Sequence, residues 1–132
     1  MRGAGIILLN SKREVLLILR DNLDGIPCPN MWDIPGGKVE ESESPENAVR
    51  REMNEELGLK DLGEIKLFNV FTSNNITDYV FWKKIDLLPD AIKLMEGQQI
   101  KYFNLKQIRE AKLAFNYNFV LEQFYREILS EV

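Results

Sequence analysis

The sequence contains no histidine and one cysteine, Cys28. Without histidine there is no Ser-His-Asp or Cys-His catalysis, no histidine-bound zinc and no imidazole base. A single thiol closes no disulfide within the chain. The apolar residues 3–9 are too short for a signal peptide and read as a strand, so a reducing, cytoplasmic compartment is expected. No apolar run approaches the roughly 20 residues that span a bilayer, and no membrane partner is expected. Positive charge is in short supply as well. Lys and Arg number 17 against 21 Asp and Glu, a net charge of −4. With no long basic stripe, nucleic acid is not an expected partner. The chemistry left open must use carboxylates, Lys, Arg, Tyr, Ser, Thr or a metal.

What the chain has is glutamate. Seven of its Glu residues (Glu40, Glu41, Glu43, Glu46, Glu52, Glu55, Glu56) fall within residues 40–56. Hydrophobic residues make up 45% and charged residues 29%, an ordinary globular composition. The 132 residues read as one domain, 1–132, active as a monomer or a homodimer.

Residues 3–9 and 14–20 read as two strands of a hairpin, and 21–31 as a long irregular loop rich in Asn, Asp, Gly and Pro. Trp32-Asp33-Ile34 reads as a short strand before the Pro35-Gly36-Gly37 break. Ser44-Pro45 starts a helix and Gly58 ends it, which predicts a helix over 45–57. Residues 62–72 and 76–88 form a second hairpin around Ser73-Asn74-Asn75, and 99–103 a further strand. Asn104 and Gln107 make a capping box for a short helix. Residues 117–130 read as an amphipathic helix. This order predicts an α/β fold with helices on both faces of a mixed sheet. The aromatics Trp32, Phe71, Tyr79, Phe81, Trp82, Tyr102 and Phe103 read mostly as core, and Cys28 has no catalytic role.

On a helical wheel Val49, Met53 and Leu57 coincide, and Glu52, Glu55 and Glu56 fall beside them across an arc of roughly 100°. Carboxylates so spaced repel by a few tenths of a kcal/mol per pair. Alone, such a cluster is most simply a solvated acidic face held by Glu46–Arg50 and Arg51–Glu55 pairs. Divalent cations, which prefer oxygen ligands, turn the repulsion into attraction.

The cluster has a frame around it. Gly37 is followed by five residues and Glu43, then by seven residues and Arg51-Glu52-Met53-Asn54-Glu55-Glu56-Leu57-Gly58-Leu59. This resembles the Nudix box, G-x5-E-x7-R-E-U-x-E-E-x-G-U with U a bulky aliphatic residue, at every defined position. The resemblance implies a Nudix-like α/β/α sandwich and hydrolysis of a nucleoside diphosphate linked to a further group. It implies Mg²⁺ or Mn²⁺ held by Glu52, Glu55 and Glu56 with a carbonyl of Gly36 or Gly37. It implies an Arg51–Glu43 pair that fixes the loop, with Gly37 and Gly58 as structural positions. A metal would screen the phosphate charge and acidify a water, and a carboxylate such as Glu52 would take its proton.

Outside the box, Glu96-Gly97-Gln98 resembles the segment that gives MutT-type members an extra acidic group, so Glu96 is a candidate metal ligand or base. Arg20 resembles a position that contacts phosphate or base. Asn116 and Asn118 lie near the place where MutT-type members read a purine edge, and either also fits a helix cap. The expected catalytic set is Glu52, Glu55, Glu56, Glu96 and Arg51. The expected substrate is a (deoxy)nucleoside triphosphate such as 8-oxo-dGTP, cleaved to the monophosphate and pyrophosphate. A dinucleoside polyphosphate, a nucleotide sugar and a non-catalytic nucleotide-sensing role are the alternatives. Residues 73–75 lack the Pro common in ADP-ribose-cleaving members, and Tyr79 comes later than dinucleoside-polyphosphate members place it.

Overall fold

The computed structural model describes residues 1–129. A mixed sheet of seven strands carries helices on both faces. The strands are β1 (Arg2–Leu9), β2 (Val15–Leu19), β3 (Trp32–Asp33), β4 (Gly36–Lys38), β5 (Lys66–Ser73), β6 (Ile76–Lys84) and β7 (Gln99–Phe103). The helices are α1 (Pro45–Leu57), α2 (Leu105–Glu110) and α3 (Tyr117–Phe124). Strand order runs β3-β2-β1-β6-β5, with β4 paired to β1 and β7 to β2. No helix among the described residues is long and apolar enough to cross a membrane.

Alternation along β1 divides the core. Ala4, Ile6 and Leu8 pack with Val49, Met53 and Leu57 of α1, while Ile7 and Leu9 pack with Val120, Leu121 and Phe124 of α3. The sandwich expected from the element order is present.

Local chemistry sets the helix ends. Ser44 accepts from Asn47 N at 3.1 Å, Pro45 opens the first turn, and Gly58 closes α1 in the left-handed region at φ 67°. Asn104 and Gln107 form the capping box of α2. Asn74 and Asn75, at φ 49° and 65°, make the tight turn between β5 and β6.

Four features differ from the sequence reading. The second hairpin, expected over 62–72 and 76–88, is confined to β5 and β6, with 62–65 and 85–88 outside strands. The first hairpin splays at once. Leu9↔Val15 is its one paired position, because β4 takes the facing edge of β1 at Gly3–Gly5 and β3 takes the facing edge of β2 at Ile18 and Leu19. Gly36–Lys38 is a strand, β4, antiparallel to β1, where the glycines suggested only a break. The last helix changes at Tyr125 into a π-helical turn, Tyr125–Leu129. Residue 130 of the expected 117–130 helix lies outside the described residues.

Candidate active site

Two backbones meet where β4 crosses the middle of α1. Gly36 pairs with Gly5 and Gly37 with Ala4. Gly36 sits at φ 151°, and a Cβ there would lie 2.3 Å from Ala4 O. A Cβ on Gly37 would lie 2.7 Å from the carboxyl carbon of Glu52. The two glycines therefore let β4 press against β1 while leaving the space that the Glu52 carboxylate fills.

Glu52, Glu56 and Glu96 offer carboxylate oxygens that all lie within 4.8 Å of one another. Glu52 and Glu56 come from α1, and Glu96 from the loop before β7. Met95 N donates to Glu56 O at 2.8 Å and docks that loop on the end of α1. Glu56 is buried and accepts from Gly36 N at 3.0 Å. Burial, with repulsion from Glu52, Glu96 and Asp33, pushes its carboxyl up to about 8 against the pull of that bond. Glu52 is pushed up as well, first by burial, with Arg51 opposing and Glu55 and Glu96 adding repulsion. Three hard oxygen donors at mutual repulsion match the needs of a divalent cation, so these residues fit Mg²⁺ or Mn²⁺.

Arg51 organises the surroundings. Its Nε and Nη2 bind both oxygens of Glu43 at 2.7 and 2.9 Å, and Nη2 also donates to Lys38 O at 3.0 Å. Nη1 donates to Glu52 Oε1 at 2.8 Å and to Glu55 Oε2 at 3.2 Å. One guanidinium thus ties the β4–α1 loop to two carboxylates. It holds the Glu43 carboxyl at about 2, helped by the Glu40 backbone N–H. Glu55 stands apart from the three-carboxylate cluster, half exposed and paired with Arg51.

A cavity of about 140 Å³ opens beside the cluster, lined by Arg20, Asp33, Gly36, Glu56 and Glu96 among others. Arg20 pairs with Asp33 Oδ2 at 3.1 Å, and its guanidinium lies over the Phe115 ring, 5.3 Å from the centroid. Asp33 is a wall residue that the sequence reading assigned only to a strand. The available signal was an acid placed between Trp32 and Ile34 in a short apolar run. Gln98, beside Glu96, donates to Arg20 O at 2.7 Å and to Asn30 Oδ1 at 2.9 Å, tying the 21–31 loop to the Glu96 segment.

The two asparagines part ways. Asn118 commits its amide to the backbone, accepting from Leu113 N at 2.8 Å and donating to Ile108 O and Ala111 O. It braces the α2–α3 loop, and with both amide hydrogens committed it has no donor left for a purine edge. Asn116 occupies the N-cap position of α3, exposed and without a side-chain capping bond. Neither side chain caps the helix in the way the sequence suggested.

The family model described as the NUDIX domain matches residues 1–126. An RNA pyrophosphohydrolase of Haemophilus influenzae is 30% identical over 110 residues, which is 83% of this chain and 51% of that protein. A Bacillus subtilis protein provisionally named an 8-oxo-dGTP diphosphatase is 40% identical over 57 residues, 43% of this chain and 34% of its own. The chain spans about half the length, or less, of these curated relatives. The crystal structure of a MutT protein from Methanosarcina mazei superposes with a TM-score of 0.77 at 27% identity, covering 96% of this chain and 94% of that one. Motif, fold and matched family agree over nearly the whole sequence, and the chain belongs to the Nudix family.

Proposed function

We propose that this protein is a divalent-cation-dependent pyrophosphohydrolase that cleaves a (deoxy)nucleoside triphosphate to the monophosphate and pyrophosphate. The observation that carries the reading is the convergence of Glu52, Glu56 and Glu96 beside a cavity that Arg20 also lines. Glu52, Glu56 and Glu96 would hold Mg²⁺ or Mn²⁺, with a Gly36 or Gly37 carbonyl and Glu55 as further oxygen donors. When bound, the cation supplies Lewis acidity and neutralises polyphosphate charge. Glu52 or Glu96 accepts the proton of the attacking water, each being at the cluster and more accessible than Glu56. Arg51 orients Glu52 and Glu55, Arg20 donates to the phosphate or base, and exposed Asn116 is the candidate for the base edge. The whole chain works as one domain on the cytoplasmic nucleotide pool.

Among bases, 8-oxoguanine is the first choice, supported by the name of the Bacillus subtilis relative. A second reading has a specific observation behind it. RNA pyrophosphohydrolases match over as much as 83% of this chain, which favours a 5′-triphosphorylated RNA end. The net charge of −4 favours the mononucleotide. The test is a panel of dGTP, 8-oxo-dGTP, triphosphorylated oligoribonucleotide, ADP-ribose and a dinucleoside polyphosphate with Mg²⁺ or Mn²⁺, separating pyrophosphate from orthophosphate. Pyrophosphate release from a mononucleotide, abolished by EDTA, is the expected result. Cleavage of ADP-ribose or the dinucleoside polyphosphate alone would reject the triphosphate reading.

A further inference from the structure

Asp33 and Arg20 share the wall of the cavity beside the carboxylate cluster. The Asp33 side chain is 10% exposed, with Oδ2 on Arg20 Nη1 at 3.1 Å. Its Oδ1 is buried and has no hydrogen-bond partner. A buried carboxylate with one unbonded oxygen is unfavourable, and an apolar residue of similar volume would fill the place at less cost. Burial pushes Asp33 up to about 6 even against the pull of Arg20.

Arg20 has a competing attraction. Glu56 and Glu96 line the same small cavity, and an ionised carboxylate there is an alternative partner for a guanidinium that is free to swing toward it. A guanidinium drawn onto those oxygens would take the place a divalent cation needs. In the structure it is held elsewhere, by Asp33, by Pro27 O at 3.0 Å from Nε, and against the Phe115 ring. Asp33 is the charged member of that set.

We propose that Asp33 is a positioning residue that holds Arg20 on the loop side of the cleft and keeps its guanidinium out of the Glu52–Glu56–Glu96 cluster. The inference rests on the metal-site reading above. It also accounts for a buried acid placed near the three carboxyl groups of the cluster. The pair as a whole is neutral toward an incoming cation, and Arg20 stays available to the substrate.

The test is a cycle of Asp33→Ala, Arg20→Ala and the double variant, read by Mn²⁺ affinity and by the Arg20 Nε–H resonance in ¹⁵N-resolved NMR. Asp33→Ala is expected to weaken Mn²⁺ binding about tenfold, the range seen when partners of metal ligands are removed. Arg20→Ala is expected to stay within about twofold of wild type, and the double variant to recover to that level. The Arg20 Nε–H signal, protected in wild type by Pro27 O, should move and exchange faster in Asp33→Ala. Unchanged Mn²⁺ affinity in Asp33→Ala, or a double variant as weak as Asp33→Ala alone, overturns the proposal. So does an unmoved Nε–H signal, since Arg20 would then have kept its place. Where the alanine variant fails to fold, Asp33→Asn replaces it. A smaller weakening, again reversed by Arg20→Ala, is then expected, and none would count against the proposal. If wild type binds no Mn²⁺, the metal-site reading fails, and the Nε–H signal alone decides whether Asp33 holds Arg20.

Discussion

A methyl group at position 37 would lie 2.7 Å from the carboxyl carbon of Glu52. The substitution Gly37→Ala must therefore move either β4 or a cluster carboxylate. Turnover should fall about 10–100-fold, as it does when the support of metal ligands is disturbed, and a loss in Mn²⁺ affinity should accompany it. Normal kinetics in that variant would mean the Glu52 position does not matter. Arg51 is the second residue on which the geometry turns. Lysine keeps its charge but cannot bind both oxygens of Glu43 while reaching Glu52 and Glu55. Arg51→Lys is expected to lower kcat by about 10–100-fold with the fold intact, measured by steady-state kinetics beside circular dichroism. Glu52 and Glu56 were legible in the sequence because the box spacing fixes them on one helix, and Glu96 only through the resemblance of Glu96-Gly97-Gln98. Asp33 was not, because its place beside β2 and Arg20 comes from the pairing of Trp32-Asp33 with Ile18-Leu19, a contact between separate elements.

At the scale of elements, α1 carries the site and its ends are set by side chains within a few residues. Ser44→Ala removes the capping bond to Asn47 N and should cost about 1 kcal/mol, leaving kcat within about twofold; denaturant unfolding and kinetics check both. The loop before α1 gives a pH signature. The ionised form of Glu43 is favoured by the fold, since Arg51 holds its carboxyl at about 2, below the ordinary 4.5. Its stabilisation is complete above about 4.5 and is lost as the pH falls from there toward 2. Glu43→Gln should flatten the acid limb of a melting-temperature profile in that window, and an unchanged limb would contradict the pairing. Legibility at this scale followed locality. The caps of α1 and α2 and the Asn74–Asn75 turn were readable, because each is short-range chemistry. β4 was not, because its pairing with β1 spans more than thirty residues. The splay of the first hairpin has the same origin, since the β3–β4 segment enters between β1 and β2 and takes the edges they would share.

Across the whole molecule, two apolar layers clamp the sheet, and the active-site residues lie where the α1 layer meets the loops before α1 and β7. The core is built without the cluster, while the cluster itself is left under charge repulsion. A saturating divalent cation should therefore raise the melting temperature of wild type and not of Glu56→Gln, by the linkage of binding to folding. Family and fold were legible from 23 residues of box and the order of elements. Substrate was not, because the candidate substrate contacts, Arg20 and Asn116, lie outside the box at positions whose spacing follows no fixed period. The most direct test of the catalytic centre is the steady-state turnover of wild type and Glu56→Gln on a nucleoside triphosphate with saturating Mg²⁺, counting pyrophosphate. Wild type should release pyrophosphate in a reaction that EDTA stops, and Glu56→Gln should be slower by at least about 100-fold. Wild-type turnover in Glu56→Gln would contradict the assignment of the cluster as the metal-holding centre.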